Sequence, residues 1–156
     1  MKLYPALISR LENQHEAIAS IIASADEARL KKEIRPGKWS IHENIVHLVK
    51  YQPVFIDRIH IMLTHPEPIF EAYVADNDPE FEEWKRWDNE RLVNALQKDR
   101  LAILQLIRSL PEEKLARIGI HKKYGRLNIV QWTEFFLLHE AHHMFTIFQL
   151  ANTIIE

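Results

Sequence analysis

The sequence predicts an all-α fold, an antiparallel four-helix bundle with one longer connection between its second and third helices. Three observations predict it. Four long stretches carry apolar residues at three- and four-residue spacing, the period of a helix with one buried stripe. No stretch shows a convincing two-residue alternation. The three glycines, Gly37, Gly119 and Gly125, all fall between these stretches.

The first helical pattern runs from Pro5 to about Leu30, with Ile8, Leu11, His15, Ile18 and Ile22 on its inward stripe and Pro5 suited to a first turn. Pro36 and Gly37 break it, since proline restricts the residue before it and glycine permits turn geometry. Ser40-Ile41-His42-Glu43 then has the form of a capping box, in which the Ser40 hydroxyl accepts from the Glu43 amide and the Glu43 carboxylate accepts from the Ser40 amide. Ile41, Ile45, Leu48, Gln52, Ile56 and Ile59 continue the stripe of this second helix. Pro53 is expected to kink it, at a cost of about 3 kcal/mol unless packing compensates. His65-Pro66-Glu67-Pro68 ends it.

Residues 69–80 read as irregular and acidic, with Asp78-Pro79-Glu80 as the cap and first turn of a third helix that carries Leu92, Leu96, Ile103, Ile107 and Leu110. A loop containing Gly119 and Gly125 leads from Pro111 to Asn128-Ile129-Val130-Gln131, a second cap of the box type. The last helix directs Trp132, Phe136, His139, His143, Ile147 and Leu150 inward.

At 156 residues, 47% of them hydrophobic, the chain has the length of a single domain, taken as 1–156, and enough core to fold without a structural metal. A metal site in it is therefore a candidate for function. The absence of cysteine excludes a disulfide framework, a thiolate zinc site, an iron–sulfur cluster and a cysteine nucleophile. With 20 basic and 22 acidic side chains the formal charge is −2, which gives no global attraction for nucleic acid. No uninterrupted apolar leader and no 18-residue apolar run occur, so the expectation is a cytoplasmic protein with no membrane partner.

Nine histidines are present, three of them in His139-Glu140-Ala141-His142-His143. His139 and His143 are one helical turn apart on the apolar face, so their imidazoles point into the bundle with Cβ atoms about 6 Å apart, close enough to share one ion. Two buried neutral imidazoles need a partner for each nitrogen, and a divalent cation satisfies one acceptor on both. The competing reading is a pair of hydrogen-bonded core histidines. His47, in the apolar run Ile45-Val46-His47-Leu48-Val49, is the best third ligand; His15, Glu43 and Asp57 are weaker claimants. His142 projects differently and reads as supporting or exposed. The same string matches the HExxH spacing of zinc proteases, an alternative weakened by the lack of strands to hold a peptide and of a third ligand after the motif. His121, Lys122, Lys123, Tyr124 and Arg126 form a basic loop that reads as solvated, though it could hold an anion's carboxylates; Trp84 and Trp87 read as core.

Lys38-Trp39-Ser40, His47 seven residues past that serine, Gly125-Arg126-Leu127-Asn128, and His139-xxx-His143 followed by Gln149 resemble, in this order and over nearly the whole chain, the DinB-like superfamily of bacterial four-helix proteins. The resemblance implies a three-histidine site for a divalent metal (nickel, zinc, iron or manganese) at His47, His139 and His143. It also implies a small-molecule substrate. Members of known activity are thiol-dependent transferases and isomerases that use bacillithiol or mycothiol, and several form homodimers. Three imidazoles leave open positions on the ion, either for a low-molecular-weight thiol or for a water, giving thiol transfer or hydrolysis. A non-enzymatic helical binding module is the remaining reading.

Overall fold

The computed structural model describes residues 2–153; Met1 and residues 154–156 of the expected 1–156 span lie outside the described residues. The helices are α1 (Pro5–Asn13), α2 (Ala17–Ile22), α3 (Glu27–Lys31), α4 (Ile41–Thr64), α5 (Phe81–Trp84), α6 (Asn89–Ser109), α7 (Glu112–Leu115) and α8 (Ile129–Asn152). The bundle consists of α1 with α2, then α4, α6 and α8. Both capping boxes form as expected: Glu43 N donates to Ser40 Oγ at 3.1 Å and Ser40 N to Glu43 Oε2 at 2.8 Å, and Asn128 and Gln131 exchange the equivalent pair at 3.0 Å each. α4 remains one helix across Pro53.

Three expectations are corrected. The first arm is not one helix to Leu30. Gln14 turns its amide onto α8, donating to Leu137 O at 2.9 Å and Glu140 Oε1 at 3.0 Å, and residues Gln14–Glu16 tighten into a 3₁₀ turn. Asp26 then caps a separate helix by accepting from Arg29 N at 2.7 Å. Asp78-Pro79-Glu80 starts only the one-turn α5, because Trp84 and Trp87 stack at 4.3 Å and a fresh cap at Asp88, accepting from Arg91 N, begins α6. Finally, strands do exist: β1 (Ile69–Phe70), β2 (Ile118–His121) and β3 (Gly125–Asn128) form a small sheet, β1 parallel and β3 antiparallel to β2. Its alternation is only four residues long, and one of those is Gly119, whose Cβ would lie 2.9 Å from Met62 Sδ and 3.0 Å from Phe70. Glycine thus permits the sheet to seat on α4.

The core is split into two apolar clusters. One holds Leu7 and Leu11 of α1, Phe55 and Ile59 of α4, Ile103 and Ile107 of α6, and Trp132 and Phe136 of α8. The other holds Ile18, Ile41, Ile45, Leu92, Leu96, Ile147 and Leu150. Their order along each helix fixes its direction: α1–α2 and α8 run from the first cluster to the second, while α4 and α6 run from the second to the first. α4 and α6 are therefore parallel neighbours. The long connection makes this possible, since β1 near its start lies with the first cluster and Ala75 and Phe81 near its end lie with the second.

Between the clusters lies a polar layer. Arg100 of α6 and Glu140 of α8, 2% and 1% exposed, form an ion pair there; Arg100 also donates to Gln52 Oε1 at 3.2 Å. His15, His139 and His143 fall between the two clusters along the chain, and His47 lies among the last second-cluster residues of α4, one turn before the first-cluster Tyr51. No helix among the described residues is long and apolar enough to cross a membrane.

Candidate metal centre

α4 and α8 pack against each other in opposite directions, so the middle of one faces the middle of the other. His47 on α4 therefore meets the one-turn pair on α8. Its ring lies 5.0 Å from that of His139 and 4.4 Å from that of His143, and the pair are 4.7 Å apart. Each imidazole offers one ligand nitrogen, all three within 4.8 Å of one another, and among the described residues no other trio of histidine or carboxylate side chains converges in this way. The sequence places His139 and His143 by helical period alone; only the fold brings in His47.

The donor set fits a divalent ion. His47 Nε2 and His139 Nε2 are 3.0 Å apart. Two nitrogens bound to one ion at about 2.1 Å stand roughly 3.0–3.4 Å apart in octahedral or tetrahedral geometry. The two Nε2 atoms face each other, and Nδ1 of His47 and of His139 is buried without a hydrogen-bond partner, as is Nδ1 of His15 outside the trio. His143 is better supported. Its Nδ1 donates to Asn44 Oδ1 at 2.9 Å, and Asn44 is itself anchored by donating from Nδ2 to Ser40 O at 2.8 Å. This assigns the hydrogen to Nδ1 and leaves the Nε2 lone pair free.

Burial, the largest cause in each case, lowers the histidine pKa values to about 3 for His47, about 4 for His139 and about 2 for His143; mutual repulsion among the rings adds to the effect on His47 and His143. All three are neutral at neutral pH, as ligation requires. Aromatic rings wall the trio: Trp39 is 5.1 Å from the His47 ring, Tyr51 is 4.5 Å from that of His139, and Tyr73, from the long connection, is 5.6 Å from that of His47. Burial raises the pKa of both tyrosines, so they stay protonated. A cleft of about 330 Å³ reaches His143 past Trp39, Asn44 and Leu150, and a smaller one of about 180 Å³ reaches His139 past Tyr51 and Tyr73.

The other candidates lie elsewhere. Glu140, the second position of the HExxH match, is turned away to pair with Arg100 and Gln14, which removes the carboxylate that a zinc protease would use as base. His142 is exposed beside the larger cleft. His15 is buried apart from the trio, its pKa lowered to about 4 by burial and then by Arg100. Glu43 caps α4 and binds Lys85, and Asp57 is exposed. The basic loop is the β2–β3 hairpin: His121 Nδ1 accepts from Lys123 N at 3.0 Å, while Lys122 pairs with Glu71 and Arg126 with Glu67. Trp84 and Trp87 are partly buried against the second core cluster. Sequence reasoning missed Asn44, whose position one turn before His47 was the available signal, and Tyr73, for which the irregular connection gave none.

A sequence profile described as the DinB superfamily matches residues 10–147. A protein of Oceanobacillus iheyensis, provisionally named a metal-dependent hydrolase, is 22% identical, with the match covering 88% of this chain and 79% of that one. Among solved structures, YfiT from Bacillus subtilis, described with the same provisional activity and an unusual four-helix bundle topology, superposes with a TM-score of 0.81 at 19% identity over 96% of this chain and 88% of that one.

Proposed function

Because the chain belongs to the DinB superfamily, we propose that it is a metal-dependent hydrolase of a small molecule, working at a centre held by His47, His139 and His143. The observation that carries the reading is the convergence of three neutral imidazole nitrogens within 4.8 Å, with the Nε2 atoms of His47 and His139 3.0 Å apart. Nitrogen donors without thiolate or carboxylate suit nickel, zinc or iron better than manganese, calcium or magnesium, which prefer oxygen donors. When bound, such an ion supplies Lewis acidity that lowers the pKa of a coordinated water or thiol. Asn44 holds His143 in the ligating tautomer, and Trp39, Tyr51 and Tyr73 pack against the rings of the trio and line the two clefts that reach it.

The names of both relatives favour hydrolysis. One feature favours a second reading, transfer from a low-molecular-weight thiol: no carboxylate lines the cleft at His143 to act as general base for water. The test is a parallel assay of metal-free and reconstituted protein on a small ester or amide panel and on thiol addition to a model electrophile. A metal-dependent rate on the first panel supports hydrolysis and on the second thiol transfer. Equal rates with and without metal on both would sink the enzyme reading and leave a binding module.

The homodimer implied by the resemblance is proposed to form across the outer face of α8. Leu138, Phe145 and Phe148 are exposed there at seven- and three-residue spacing, and Glu140, which is buried, is the only charged residue between 135 and 153. A second copy therefore meets no like charge. Sedimentation should show a wild-type dimer and a Phe145→Glu monomer; a monomeric wild type rejects the face.

A further inference from the structure

We propose that the cleft at His143 is built for an anionic small molecule whose carboxylate or phosphate is held by Arg35 and Lys38. This rests on the metal reading above and narrows its substrate class. The cleft lining includes these two cations and no carboxylate. They are presented by a braced turn: Lys38 N donates to Arg35 O at 3.0 Å, Pro36 and Gly37 sit at the corners, and Gly37 has φ +67°, the pattern of a type II turn. The Glu33 carboxylate accepts from Gly37 N and is thereby committed to the turn. Arg35 and Lys38 are first and fourth in it, which keeps their Cα atoms within about 7 Å of each other.

Both side chains are exposed, and neither has a hydrogen-bond or ion-pair partner among the described residues. The next residue, Trp39, stacks 6.1 Å from the His143 ring, and Leu150 adds apolar surface. Cations, an apolar wall and a ligating imidazole thus share one cleft of about 330 Å³. The ligand that matches carries an anion at one end, an apolar spacer and a metal-directed polar group at the other. His142 is the other titratable group of the lining and is exposed. The smaller cleft at His139 does not offer such a pair, since Arg58 is committed to Tyr51 Oη at 3.1 Å and Glu71 O at 2.6 Å, leaving Lys123 alone.

The test compares 3-mercaptopropionate with its neutral amide, which differ only in the remote charge. Cobalt-loaded protein is titrated by visible absorption and metal-free protein by tryptophan fluorescence. Wild type should bind the acid about tenfold more tightly than the amide at low salt, the effect of one charge-assisted contact. That preference should fall to within about twofold in Arg35→Gln/Lys38→Gln and at high salt, and persist in Lys123→Gln. Unchanged cobalt content in the double variant separates this loss from a loss of metal. If cobalt does not bind, the metal reading fails, and the metal-free titration still decides the anion site. Equal binding of acid and amide by wild type, or a preference that survives the double variant, overturns the proposal.

Discussion

Replacing Glu140 by alanine separates the two roles that its position suggests, protease base or structural ion. Its carboxylate is 1% exposed, pairs with Arg100, itself 2% exposed, and accepts from Gln14 Nε2 at 3.0 Å. Removing it leaves the Arg100 guanidinium buried with only Gln52 Oε1 at 3.2 Å and Leu11 O at 3.4 Å as neutral acceptors. Breaking a buried pair from one side costs about 3–5 kcal/mol. For a chain of this size each kcal/mol moves the melting temperature by roughly 2–4 °C, so a fall of about 10 °C is expected. Replacing both residues by methionine removes the stranded charge and should restore most of the loss, since apolar substitution of a buried pair is often neutral. Urea unfolding of the three proteins measures this, with metal content read alongside. A loss under about 1 kcal/mol in Glu140→Ala, or a double variant no better than the single one, would refute the account of the polar layer. If Glu140→Ala were as stable as wild type yet without activity, the HExxH reading would return.

Two further outcomes follow from the trio. Asn44→Ala frees His143 to take the other tautomer or to rotate, and should weaken metal binding by about 10- to 100-fold in competition with a chelator, with little change in fold; unaltered affinity would show that Asn44 does not position the ring. The pH dependence of the metal-free protein should be steep. His15, His47, His139 and His143 have folded pKa values lowered to about 4, 3, 4 and 2, so below about pH 6.5 the unfolded chain gains protons that the folded one refuses. Stability is full above that pH and lost as the pH falls toward 4, at about 1.4 kcal/mol per pH unit for each histidine. Urea midpoints should drop between pH 7 and 5, and less so in His15→Gln; a flat profile would mean that these rings are not held neutral.

Much of the fold was legible because its signals are local. The capping boxes at Ser40 and Asn128 read directly from sequence, and the one-turn spacing of His139 and His143 on an apolar stripe placed both on the inward face of the last helix. What was not legible depends on distant partners. The break after Asn13 follows from Gln14 reaching α8, and the strand at Ile118 is too short to show a period and depends on Met62 and Phe70 lying against Gly119. The parallel course of α4 and α6 comes from a connection whose irregular sequence carries no direction. Glu140 looked like part of the histidine motif because its partner, Arg100, is 40 residues away on another helix.

The central claim is that His47, His139 and His143 hold one divalent ion. Metal content after reconstitution and desalting tests it most directly, in wild type, His143→Ala and, as a control outside the trio, His15→Gln. About one ion per chain in wild type and His15→Gln, with loss in His143→Ala, is the expected result. A wild type that takes up no nickel, zinc, iron or manganese, or a His143→Ala variant that binds as well as wild type, would contradict it.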